Sequence, residues 1–140
     1  MRCILSHLAA LSALSMLLLT GCATQARSNT LTNTLNAYGS TLRWGDFQSA
    51  LQFIDPEIRA AHPVSQLDLA RYQQVRVSEY DAGAGPVPDG EFGARQTAQI
   101  SVINIHTQGE RTIIDHQTWH YDEKSKHWWL TSGLPDITQD

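Results

Sequence analysis

Beyond residue 22 the chain has no cysteine. Its two cysteines, Cys3 and Cys22, both lie near the start. Residues 23–140 therefore have no disulfide, no cysteine nucleophile and no thiolate ligands for zinc, and must be stable through an apolar core alone. A basic run is also missing. Ten Lys and Arg stand against 14 Asp and Glu, a net charge of −4, and the cations are scattered. That distribution argues against nucleic acid as a partner and against a polybasic membrane patch. There is no Gly-x-Ser-x-Gly elbow to present a serine nucleophile. The glycines of residues 82–93 have the wrong spacing for a phosphate cradle, and no helix follows them. Internal repeats and long low-complexity segments are absent as well.

The most informative stretch that is present comes first. Arg2 places positive charge beside the N-terminus, residues 4–19 are dominated by Leu, Ala, Ile and Met, and Thr20-Gly21 are small. This is the three-part pattern of an export signal. As a membrane span it is marginal, because a span needs about 20 apolar residues and His7, Ser12 and Ser15 interrupt this one. Its end, Leu19-Thr20-Gly21-Cys22, resembles a bacterial lipobox at each of its positions. The resemblance implies cleavage after Gly21 and acylation of Cys22, which would anchor the chain in a lipid bilayer. One acyl chain holds only marginally, whereas two or three hold stably. Ala23 stands where an aspartate would signal retention in the inner membrane, so the resemblance implies the periplasmic face of the outer membrane in a Gram-negative cell. Residues 1–21 are then a cleaved signal, 22–29 a lipidated tether without periodicity, and 30–140 one domain.

From Thr30 the spacing is helical. Leu31, Leu35, Tyr38 and Leu42 form one stripe, and Gly39 is a mild interruption costing about 1 kcal/mol relative to alanine. Trp44-Gly45-Asp46 ends this helix and caps a second, lined by Phe47, Ala50, Leu51 and Ile54. Asp55-Pro56 ends that helix, Pro56 fits the first turn of a short third segment, residues 57–61, and Ser65 caps a last turn through Leu69. The period then changes to two. Strands are expected over residues 73–80, 97–106, 110–121 and 127–131. Four glycines and two prolines make residues 82–93 a loop. Helices followed by antiparallel strands read as an α+β fold, N-terminal helices packed on a curved sheet of about four strands. The helix broken at Gly45-Asp46 precedes long strands carrying Trp119-His120-Tyr121-Asp122 and Trp128-Trp129-Leu130, and this order resembles the NTF2-like (cystatin-like cone) superfamily.

Several residues could carry chemistry. His116 and His120 have a zinc-binding spacing on a helix, but on a strand they lie roughly 13 Å apart and cannot share an ion. His106 and His127 could join them only through a pairing that spacing leaves open, so no metal or cofactor is expected. On the strand 110–121, Ile113, Asp115, Gln117, Trp119 and Tyr121 share a face that the aromatics assign to the interior. Asp115 there is either a carboxylate with a raised pKa, fit to act as a general base, or the partner of Arg111, Arg95 or another arginine, or exposed. The resemblance implies a cone in which isomerases and dehydratases keep such a base, but no motif transfers a catalytic position to this chain. Tyr38, Trp44, Gln117, Trp119, Trp128 and Trp129 are candidates for a pocket or an interface, with Trp128 and Trp129 on opposite sides of their strand. The expected activity is a non-catalytic binding module of the cell envelope, taking a protein partner or a small apolar ligand. The alternative is a small isomerase or dehydratase using Asp115. The resemblance further implies that a homodimer would form through the open sheet face.

Overall fold

Asp46 shows how local chemistry sets the layout. Its backbone is extended and its carboxylate accepts the Ser49 N–H at 2.6 Å, so a new helix starts there and the preceding one ends. In the computed structural model, which describes residues 2–139 and their side chains from residue 21 onward, helix α1 runs Arg2–Trp44. The short helices α2 (Phe47–Ala50), α3 (Pro56–Ala61) and α4 (Gln66–Tyr72) follow, with a 3-10 turn at Leu51–Phe53. Asp55 caps α3 through the Glu57 and Ile58 N–H groups, and Ser65 caps α4 through that of Asp68.

Among the described residues five strands follow: β1 (Val75–Asp81), β2 (Val87–Pro88), β3 (Gly93–Asn104), β4 (Glu110–Asp122) and β5 (His127–Leu130). They form one antiparallel sheet in the order β1-β3-β4-β5, with β2 also on β3. The architecture is α+β, helices against a curled, half-barrel antiparallel sheet. A bulge between Val77 and Glu79 adds local twist to β1.

The chain divides into two units, Met1–Asn33 and Thr34–Asp140. In the first, residues 22–29 are helical where an irregular tether was expected. Ala23, Gln25, Ala26 and Arg27 are strong helix formers, and no proline stops the helix that enters from upstream. The apolar run of residues 4–19 lies outside the described side chains. Among the described residues no helix is long and apolar enough to cross a membrane.

In the second unit the core lies between the helices and the inner sheet face. Leu35, Tyr38 and Leu42 of α1 and Ile100, Ile113 and Trp119 of the sheet are all buried, and the Tyr38 ring packs on that of Trp119. Strand β3 begins at Gly93, four residues earlier than the β-branched pattern indicates, and β2 occupies part of the expected loop. Ala94 and Ala98 are poor strand formers by propensity, but they sit opposite Trp119 and Asp115 and leave room for those side chains. Packing decides the strand. Gly93 is itself required: a Cβ there would lie 2.1 Å from the Asp89 carbonyl oxygen.

Gly39 also has a tertiary reason. A Cβ at this position would lie 2.9 Å from Tyr80 Cε1, so the glycine admits the Tyr80 ring against α1. Gly39→Ala is expected to destabilise by about 1–3 kcal/mol through overpacking, against the roughly 1 kcal/mol that helix propensity alone would return. Thermal unfolding of the variant reads the sign; a gain in stability would show that the contact is not limiting.

Candidate functional site

The inner face of β4 presents Ile113, Asp115, Gln117 and Trp119 in alternation, all buried. Register places Gln96 opposite Gln117, so two amides meet inside an aromatic shell. Tyr38 is central to that shell. Its ring meets Phe53, Trp119 and Tyr80 edge-on, with centroids 5.4, 5.3 and 6.5 Å away.

Gln117 organises the polar groups. Its Nε2 donates to Asp115 Oδ2 at 2.8 Å and to the Tyr80 hydroxyl at 2.9 Å. Its Oε1 accepts from the Trp119 indole N–H at 3.2 Å and from Gln96 at 3.4 Å. Gln96 also reaches the Tyr80 hydroxyl at 3.3 Å. Among the described residues one buried hydroxyl, that of Tyr38, has no hydrogen-bond partner, a cost that native interiors mostly avoid.

Asp115 is 7 % exposed. Burial lifts its pKa to about 6, against the hydrogen bond from Gln117 and the neighbouring His116, which both favour the anion. Burial first, and then the negative charge of Asp115, push the Tyr38 phenol well above its ordinary value. Burial raises Tyr80 likewise. Tyr72, whose hydroxyl donates to the Pro135 carbonyl at 3.0 Å, is raised to about 12, mainly by burial and then by Asp68, Asp136 and Asp115.

The arginine pairings open to Asp115 do not form. Arg95 pairs with Asp89 at 3.2 Å, and Arg111 donates to the Ile137 carbonyl. Among the described residues Asp115 belongs to no ion pair. The arrangement can hold a proton near neutrality in a largely apolar setting, or orient a hydrogen-bonding group.

The sequence-derived candidates separate. Tyr38, Asp115, Gln117 and Trp119 come together. Trp128 is buried on the same side of the sheet, against Tyr121, with centroids 5.2 Å apart. Trp129 is half-buried on the other side, its ring 4.1 Å from that of His127. Trp44 is remote from this cluster in character: 79 % exposed, with the Arg43 guanidinium 4.4 Å over its ring. His116 is exposed and its Nδ1 lies 3.1 Å from the Thr97 hydroxyl. Among the described residues no group of three or more His, Cys, Asp or Glu is placed to hold a metal.

Gln96 and Tyr80 also belong to the cluster and were missed as candidates. Extending the alternation of β3 backward from Ile100 through Ala98 would have turned Gln96 inward.

On the outer face, an open cleft of about 560 Å³ lies between Ala84, Gly85 and Val87 and the strand residues Arg95, Thr97 and His116. No family model matches the chain, and neither a curated protein nor a solved structure matches it.

Proposed function

We propose that this is a lipid-anchored protein of the bacterial cell envelope, held through acylated Cys22 at the periplasmic face of the outer membrane, whose NTF2-like domain binds a partner without catalysis. The observation that carries the non-catalytic reading is the state of the interior. Rings of Tyr38, Phe53, Tyr80 and Trp119 fill the centre, and the amide of Gln117 engages the carboxylate of Asp115. Its polar groups mostly satisfy one another. The anchoring reading rests on Leu19-Thr20-Gly21-Cys22, and the exposure of the Cys22 thiol is compatible with modification.

A second reading is favoured by one specific observation. Asp115 is buried, outside any ion pair among the described residues, and has a pKa of about 6, the range in which a carboxylate serves as a general base. A small isomerase or dehydratase built on Asp115 would use that property. A host-purified protein that carries a small molecule, lost in Asp115→Asn, would favour this reading; a ligand-free native mass favours the binding module.

The anchor is tested separately. Cys22→Ser should abolish incorporation of labelled fatty acid and move the protein from the membrane fraction to the soluble fraction of its own host. A serine variant that stays in membranes at the unmodified mass would refute the lipoprotein reading.

A further inference from the structure

The hydrogen-bond parity of β4 exposes an unused edge. Tyr121 N–H donates to the Phe92 carbonyl at 2.8 Å, which turns the odd-numbered residues of β4 toward β3 and the even-numbered ones toward β5. Beside β5 the even positions are satisfied as far as Thr118: its carbonyl accepts from Thr131 N–H at 2.8 Å and its N–H donates to Ser132 Oγ at 3.2 Å. Then β5 has ended. Gly133, with φ of +83°, turns the chain out of the ladder.

The segment that follows passes on the helix side of the sheet. Tyr72 of α4 holds the Pro135 carbonyl, and the inward-facing Arg111 holds that of Ile137. Among the described residues, no backbone hydrogen bond joins this segment to β4. Thr112, Ile114 and His116 therefore direct their N–H and C=O groups to the side where no strand lies.

We infer that this edge, residues 111–117 of β4, pairs antiparallel with the same edge of a second copy of the chain, about a two-fold axis at Ile114. Such an edge is a template for another strand unless it is blunted. This one contains no lysine, proline or bulge, its register with β3 being unbroken from Glu110 to His120, and its inward-pointing charges, Arg111 and Asp115, are already engaged by the Ile137 carbonyl and the Gln117 amide. The window is self-complementary. Ile114, 38 % exposed, meets its own copy, Thr112 faces the second copy's His116, Ile113 faces Asp115 and Arg111 faces Gln117. No like charges oppose one another, and the window's arginine and aspartate balance. An isologous contact of this kind closes on itself and leaves no free copy of the edge. It continues the sheet, and so differs from a dimer made through the open sheet face.

The test uses the full chain in detergent with Cys3→Ser and Cys22→Ser. Opposed residues in a hydrogen-bonded antiparallel pair have Cα atoms about 5.5 Å apart, within disulfide range. Ile114→Cys should therefore form a disulfide-linked dimer under mild oxidation. Thr112→Cys should not, because the two copies of residue 112 would lie four residues out of register. Ile114→Lys should weaken association at least tenfold by sedimentation, with an unchanged thermal unfolding profile at concentrations where both proteins are monomeric. The inference is overturned if the parent is monomeric at all concentrations, if the two cysteine variants cross-link equally, or if Ile114→Cys links only to other polypeptides.

Discussion

Trp119→Ala should lower the urea midpoint more than any other single truncation considered for this domain, with the m-value unchanged. Trp119 is fully buried, and it packs edge-on against Tyr38 at 5.3 Å. Deleting a buried aromatic ring costs about 3–5 kcal/mol, transfer and cavity together. The whole stability of a domain is only about 5–15 kcal/mol. The cavity would open beside Gln117, whose Oε1 would also lose the indole N–H. Trp119→Phe should cost less, because it keeps a ring and forfeits chiefly that hydrogen bond. Trp44→Ala is the matched control. Its ring is 79 % exposed, and surface truncations of this kind usually change stability by less than about 0.5 kcal/mol. Equal effects at the two tryptophans would contradict the assignment of one to the core and the other to the surface.

Asp115→Asn should make the domain more stable at neutral pH and remove a component of its pH dependence. The folded pKa of Asp115 is raised from 3.8 to about 6. Between those values the folded chain keeps a proton that the unfolded chain has released. Stability from this group is therefore greatest in acid and is lost as pH rises through about 4 to 6. A rise of that size corresponds to about 3 kcal/mol, an order-of-magnitude figure. Asparagine carries no charge at any pH, and its Oδ1 can still accept from Gln117 Nε2. Urea unfolding of both proteins between pH 4.5 and 7.5 should show curves that diverge toward neutrality, the variant above. Parallel curves would mean that Asp115 is solvated in the folded chain. Asp46, Asp122 and Asp136 work the other way. Hydrogen bonds from Ser49, Ser125 and Thr138 lower their pKa values, so what they add is present above the ordinary carboxylate range and lost below it. Taking the difference between wild type and Asp115→Asn removes those contributions.

The candidate site was partly legible because β-strand parity is a local property. Once Trp119 is turned inward, Gln117, Asp115 and Ile113 must follow, and the structure places all four inside. What Asp115 meets there was not legible. Arg95 and Arg111 were open as partners, and the fold gives one to Asp89 and the other to a backbone carbonyl. Tyr80 and Gln96 reach Gln117 from β1 and β3, and register between strands is not written in any one of them.

Turn and cap chemistry acts over a few residues, so the chain's own order determined the break at Gly45-Asp46, the helix end at Asp55-Pro56, the cap at Ser65, and the change to strand period after Tyr72. It also determined the absence of cysteine chemistry beyond residue 22, and with it the reliance on an apolar core. Only the tertiary structure decided that Gly93–Gln96 is strand, since the small residues there serve a ring on β4. Only the tertiary structure decided that Gly39 is a contact site, because the Tyr80 ring arrives from 41 positions away in the chain. The pKa of Asp115 belongs to the same group. An isolated carboxylate titrates near 4, and it is moved to about 6 only when helices and sheet together exclude water from it.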